Sequence, residues 1–386
     1  MNRICRCFVP SALVSPALRI LRPGTIFLLG FLLFSGACTK AESPVAMFRG
    51  DPAHRAFTKG PAIQGELGWK EQLKGWVFSS PVVDPSQGTV FIGDSLGRSV
   101  YALDIKTGQK IWTSATEGAI LASPLVTKTR VLVGSEDGLF YCLDRKTGRP
   151  LWSFEAKAVI NSSAVCDAER VYFGDWNGLL HALELTKGTE VWSFKAGSRI
   201  TSSPALAAGR LYFGSWDGDF FCLDAAEGSE IWRTAVTAEK KIGSSPAVEQ
   251  GRVFFGATDG KVYCLEASTG KQLWVFDAAK WVDASPALGP DCVVAASTDQ
   301  NLYCLDKSSG ALRWKQTGLG PMIASPWIYN DTVYAAGERG IVAAFRLSDG
   351  QKVWEYRTTH PIKSSPMAVA GMLFFGSYDT HVYAFR

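Results

Sequence analysis

Eight tryptophans, Trp69, Trp112, Trp152, Trp192, Trp232, Trp274, Trp314 and Trp354, follow one another at steps of 43, 40, 40, 40, 42, 40 and 40 residues. A second mark keeps the same step: Ser80-Pro81, Ser123-Pro124, Ser163-Ala164, Ser203-Pro204, Ser245-Pro246, Ser285-Pro286, Ser325-Pro326 and Ser365-Pro366. A fixed period of this length means one supersecondary unit repeated, each copy needing its neighbours to bury its apolar faces. Within a unit, four short apolar, β-branched or aromatic runs are separated by turn residues, as in SSPALAA, RLYFGS, DFFCLD and EIWRTA between Ser202 and Ala235. Alternation with period two predicts four strands per unit, and no stretch carries helical periodicity of useful length. Asp137-Gly138, Asn177-Gly178, Asp217-Gly218 and Asp259-Gly260 join the second and third runs, a pairing that suits type I′ hairpins. The chain is therefore expected to be all-β, a single eight-bladed β-propeller of four-stranded antiparallel blades.

The ends of the array say how the ring closes. The last unit, 364–386, supplies three strands and stops before its tryptophan strand, while Gly68-Trp69-Lys70-Glu71 opens the array as an orphan strand. Pairing the two completes the eighth blade and removes an exposed sheet edge.

The formal charge of +4 resides in the leader: Arg3, Arg6, Arg19 and Arg22 have no Asp, Glu or Lys before residue 38 to oppose them. The remaining body is neutral and lacks the basic excess that draws in nucleic acid or an anionic membrane surface. Arg19 and Arg22 precede an apolar run, Thr25 to Phe34, that ends at Ser35-Gly36-Ala37-Cys38, the pattern of a secretory signal. The run is about half of the roughly 20 residues a spanning helix needs. Residues 1–37 are read as the signal, 38–65 as a linker and lead-in strap, and 66–386 as the propeller. The strap's MFRGDPAHRAFTKGP, 47–61, is expected to run extended and carries no assigned chemistry.

Ala102-x-Asp104-x-x-Thr107-Gly108-x-x-x-Trp112 resembles the tryptophan-docking motif of the pyrroloquinoline quinone (PQQ) enzyme repeat, and the match recurs in six further units. That resemblance implies an indole packed between neighbouring blades. The quinoprotein dehydrogenases sharing the repeat hold PQQ with a disulfide between adjacent cysteines, a calcium site of carboxylates and an Asn, and a catalytic Asp; no Cys-Cys pair occurs here. Small residues before Cys38 resemble the lipobox of bacterial lipoproteins, with Ser35 where the pattern usually has Leu. Length, leader and eight uninterrupted blades are similar to the outer-membrane protein assembly lipoprotein family known as BamB. The resemblance implies a non-enzymatic, monomeric scaffold binding envelope proteins, without cofactor or nucleic acid. It would be anchored at the outer membrane through acylated Cys38, or soluble in the periplasm if Cys38 is not lipidated. A PQQ- or other small-molecule-dependent oxidoreductase and a ligand- or glycan-binding sensor are the alternatives.

Candidate chemistry is sparse. Cys142, Cys222, Cys264 and Cys304 share a repeat position with Ala102, Ala182, Ala344 and Ala384, a slot for a small residue under the indole. No CxxC, HxH or HExxH spacing offers a zinc site, and His54, His181, His360 and His381 stand singly. Asp94, Asp137, Asp175, Asp217, Asp259, Asp299 and Asp379 are read as turn residues. No catalytic, cofactor-binding or metal-binding residue is assigned. Docking leaves five tryptophans unexplained: Trp76, Trp176, Trp216, Trp281 and Trp327. In a four-stranded meander, the turn between strands two and three and the passage to the next blade fall on one face. That places Trp76, Trp176, Arg199, Trp216, Lys240, Lys241, Lys280, Trp281, His360, Lys363 and Tyr378 together as a candidate partner-binding face. The alternative is that the rings merely cover the blade ends.

Overall fold

The computed structural model describes residues 44–236 and 240–386; the leader and Cys38 lie outside the described residues. Every regular element described is a strand, and these form eight sheets with four consecutive strands as the unit. The fourth blade is typical: a short inner strand Ala205–Ala207, then Arg210–Gly214, Asp219–Asp224 and the outermost Glu230–Ala235, each antiparallel to the last. Inner strands are short because the blades converge on the axis, and the middle strands are buried on both faces between blades.

The ring closes as the sequence predicts. Leu67–Gln72 pairs with His381–Phe385, placing Trp69 opposite Ala384 and Glu71 opposite Val382. Seven of the eight docking indoles, Trp69 to Trp314, lie against a left-handed glycine in the next blade's outer turn. A Cβ on Gly148 would meet the Trp112 ring at 2.6 Å, and one on Gly310 the Trp274 ring at 2.7 Å, so only glycine fits there. Six of these indoles donate their N–H to a backbone carbonyl beside the turn, as from Trp69 to Ile105 at 2.9 Å and from Trp314 to Leu347 at 2.8 Å, while that of Trp152 is buried without a partner. The eighth blade has no such turn, because its outer two strands come from opposite ends of the chain. Gly65 of the lead-in, with φ of 80°, takes the vacant place against Trp354.

The cysteines fill the small slot: Cys142, Cys222, Cys264 and Cys304 are buried, each cross-strand from its blade's docking tryptophan. Burial pushes the Cys222 thiol up to about 11 and the Cys264 thiol to about 12, so neither is a nucleophile at neutral pH.

The hairpin turns differ from the type I′ expectation. Gly138, Gly178, Gly218 and Gly260 have positive φ, but the Asp or Asn before each does not. The Gly138 N–H donates to the Ser135 carbonyl at 3.3 Å and Gly218 to Ser215 at 3.3 Å, giving three-residue loops that end in a left-handed glycine. The Asp side chain explains the choice. Asp137 accepts the Leu139 N–H at 2.8 Å and the Tyr141 hydroxyl at 2.8 Å, and Asp379 accepts the Tyr383 hydroxyl at 2.7 Å. Asp94, Asp137, Asp259, Asp299 and Asp379 are thus spent on turns and on tyrosines of their own blades, whereas Asp175 meets His181 and Asp217 the Ser215 hydroxyl.

The lead-in strap departs most from expectation, because it runs through the axis of the ring. Pro44–Ala46 pairs antiparallel with the inner strand Leu125–Thr127 of the second blade, and Phe57–Thr58 pairs parallel with Trp327–Tyr329 of the seventh. Between them, Pro52, Ala53, Arg55 and Ala56 accept the backbone N–H groups of Leu206, Val248, Leu288 and Ile328 at 2.7 to 2.9 Å. Trp327 therefore does not join the rim aromatics. It is buried, with its ring against Gly50 and its indole N–H donating to the Thr58 hydroxyl at 2.9 Å.

Candidate functional site

The inner end of each blade carries the serine that marked the repeat, and closure joins the eight into a ring. The N–H of Ser80 donates to Oγ of Ser123 at 3.1 Å, Ser123 to Ser163 at 2.9 Å, Ser163 to Ser203 at 2.9 Å and Ser203 to Ser245 at 2.9 Å. Ser245 donates to Ser285 at 3.0 Å, Ser285 to Ser325 at 2.9 Å, Ser325 to Ser365 at 2.9 Å, and Ser365 back to Ser80 at 3.0 Å. The serines that mark the repeat are thus a cyclic chain of hydrogen bonds crossing every blade boundary.

Below this ring sits the strap. The Arg49 guanidinium, 2 % exposed, donates to the Pro326 carbonyl at 2.7 Å, to Ser285 at 3.2 Å and to Pro286 at 2.6 Å. Burial pulls its pKa down to about 9, still protonated at neutral pH. His54 is buried beside it, edge-on to Phe48 with centroids 5.6 Å apart. Desolvation first, and the Arg49 charge second, hold its imidazole down at about 3, so it is neutral in the folded chain. With this end closed, the axial channel is a cup of about 340 Å³, with Phe48 among its lining residues, the serine ring as its wall and Trp176, Trp216, Lys241 and Lys363 toward the mouth.

The rim gathers the predicted residues into two groups. In the first, the Arg199 guanidinium lies over Trp176 at 4.5 Å and over Trp216 at 5.1 Å, and the Lys241 ammonium lies 5.1 Å from Trp216 and 5.7 Å from Trp281. Ring and cation thus alternate Trp176, Arg199, Trp216, Lys241, Trp281 along the blades. Trp216 is fixed by its indole N–H, which donates to Thr201 at 2.8 Å, and Lys241 by an ion pair with Asp283 at 3.1 Å. In the second group, Trp76 stacks on Tyr378 with centroids 5.4 Å apart and planes 8° apart, and Lys363 lies 5.3 Å from the Tyr378 ring. Lys240, Lys280 and His360 are exposed. Trp281 is 56 % exposed and Trp76 47 %, whereas Trp176 and Trp216 are half-buried. Sequence reasoning missed Phe48, Asn161, Thr201 and Asp283, which complete the cup and rim; none belongs to a motif, and only the ring geometry places them.

The cup does not match the cofactor site that the quinoprotein resemblance implies. Its lining offers one carboxylate, Asp283, already paired with Lys241, and the sequence has no adjacent cysteines.

Among curated proteins none matches the chain. Among solved structures, BamB from Moraxella catarrhalis is similar at 18 % identity with a TM-score of 0.71, covering 83 % of this chain and 97 % of that one. Quinohemoprotein alcohol dehydrogenase from Comamonas testosteroni is similar at 14 % identity with a TM-score of 0.75, covering 89 % and 80 %. A europium-containing methanol dehydrogenase is similar at 12 % identity with a TM-score of 0.76, covering 89 % and 98 %. At such identities these likenesses establish the propeller fold. The family model described as the β-propeller of the β-alanine-activating enzyme matches residues 122–330, more than half of the sequence, and the chain, a PQQ-type propeller, belongs to that family.

Proposed function

We propose that the protein is a non-enzymatic scaffold of the bacterial cell envelope, exported by its leader, anchored through Cys38, and docking a partner protein on the rim. The observation that carries this reading is the alternation of Trp176, Arg199, Trp216, Lys241 and Trp281. Tryptophan and arginine are the residues that most often dominate the energy of protein interfaces. Cation–π contacts hold these side chains in place before a partner arrives, each worth about 0.5–1 kcal/mol at an exposed site. A rim ordered in advance loses less side-chain entropy on docking. The structural likeness to BamB supports an envelope setting. The likeness to quinoprotein dehydrogenases weighs the other way, but the cup lacks the donor set those enzymes would require.

The reading is tested by a photo-crosslinking amino acid at position 216 in cells, with a control at position 187 in the exposed outer turn of the third blade, on the opposite face. One envelope protein captured at 216 and absent at 187 is expected; no adduct at 216, or the same adducts at both, would remove the reading.

A further inference from the structure

We propose that the axial cup is a binding site for a neutral saccharide that enters from the rim. The ring serines are only 3 to 9 % exposed. Each Oγ accepts the N–H of the preceding blade, and among the described residues no protein acceptor takes the hydroxyl proton of any ring serine. A buried hydroxyl without an acceptor is costly, so the wall calls for a guest that accepts hydrogen bonds all round. The same cup holds further unpartnered groups, two acceptors and a donor. Oδ1 of Asn161 and Oδ1 of Asp283 are buried acceptors without a partner, and Nε1 of Trp176 is a buried donor without one. A guest that satisfies all of these must donate and accept at many points, which is what the hydroxyl groups of a sugar do.

The charges favour a neutral guest. Lys241 is paired with Asp283 at 3.1 Å, and Lys363 with Glu338 at 3.3 Å, so neither ammonium is left to compensate an anion losing its water. Apolar surface comes from Phe48, Phe78, Leu121 and Ile323, which suits the C–H faces of a pyranose ring. The volume of about 340 Å³ falls at the lower end of small-ligand pockets, which run to about 300–1,000 Å³.

Calorimetric titration of the purified mature chain tests the site without reference to any partner at the rim. The neutral probes are maltose, cellobiose and N,N′-diacetylchitobiose, and the charged ones glucose 6-phosphate and glucosamine. At least one neutral disaccharide is expected to bind in the millimolar range or tighter, with both charged sugars about tenfold weaker. Asn161→Ala and Asp283→Asn are each expected to weaken that binding about tenfold while the thermal unfolding midpoint stays in place. The proposal is overturned if no neutral disaccharide binds up to roughly 10 mM. A charged sugar binding better, or unchanged affinity in both variants, overturns it equally.

Discussion

In the blades, a contact such as the Ser245 N–H donating to Ser285 Oγ occurs at every boundary, so the wall is held by many small, equal terms. In the axial strap, Arg49 donating to three carbonyls of the sixth and seventh blades occurs once among the described residues. Repetition makes the wall tolerant of single changes, because each deletes one of eight. The strap concentrates its stability in a few buried polar groups and closes one end of the axis. The other end stays open, and there the repeat is broken by Trp176 and Trp216, where neighbouring blades carry Glu136 and Thr258 at the same turn position.

Ring closure is the one place where the wall depends on a single event, and breaking it has the largest effect. Deleting 382–386 removes the strand that Leu67–Gln72 pairs with, and cooperative unfolding should vanish from a urea titration. The milder Trp69→Ala should cost about 3–5 kcal/mol, as for other large-to-small core changes; wild-type unfolding in either variant would contradict the closure. Next comes the strap. Arg49→Met leaves the Ser285, Pro286 and Pro326 carbonyls without their donor and should cost about 3 kcal/mol in the same experiment. A loss near zero would mean that the strap does not stabilise the ring.

His54 sharpens the comparison through pH. In the unfolded chain it takes up a proton near 6.5, whereas in the fold it stays neutral down to about 3. The unfolded state therefore binds more protons between those values, and the contribution of His54, complete above pH 6.5, is lost as the pH falls toward 3. His54→Leu should flatten the dependence of unfolding free energy on pH between 6.5 and 4, and parallel curves for the two proteins would refute this. The smallest effect belongs to the wall: Ser245→Ala removes one link of the ring and should cost about 1 kcal/mol. A loss as large as that of Arg49→Met would mean that the ring acts as one cooperative unit.

The wall was legible because its signals are periodic. Tryptophan, Ser-Pro and the glycine turns recur in register, and the orphan strand at Trp69 announced the closure. The hydrogen-bonded ring was not, since eight serines forty residues apart become neighbours only once the blades close. The strap was the least legible part. MFRGDPAHRAFTKGP read only as an extended strap without chemistry, because charged side chains such as Arg49 are rarely buried unless partnered and the sequence does not show the partner. The carbonyl partners of Arg49 lie 236 to 277 residues away. At the rim, meander geometry proposed one face for the aromatic and cationic residues, but it could not foretell that Trp176, Arg199, Trp216, Lys241 and Trp281 make one chain of contacts and Trp76, Tyr378 and Lys363 another. It also left Trp327 unplaced, in the inner strand that receives the strap.

Amide hydrogen exchange across the strap tests most directly the claim that one end of the axis is closed and the other is open for binding. The account predicts that the peptide covering 47–58 exchanges as slowly as the inner strand Trp327–Tyr329 that it packs on. Exchange of 47–58 within seconds, beside a protected inner strand, would mean an open channel and would contradict the one-ended cup.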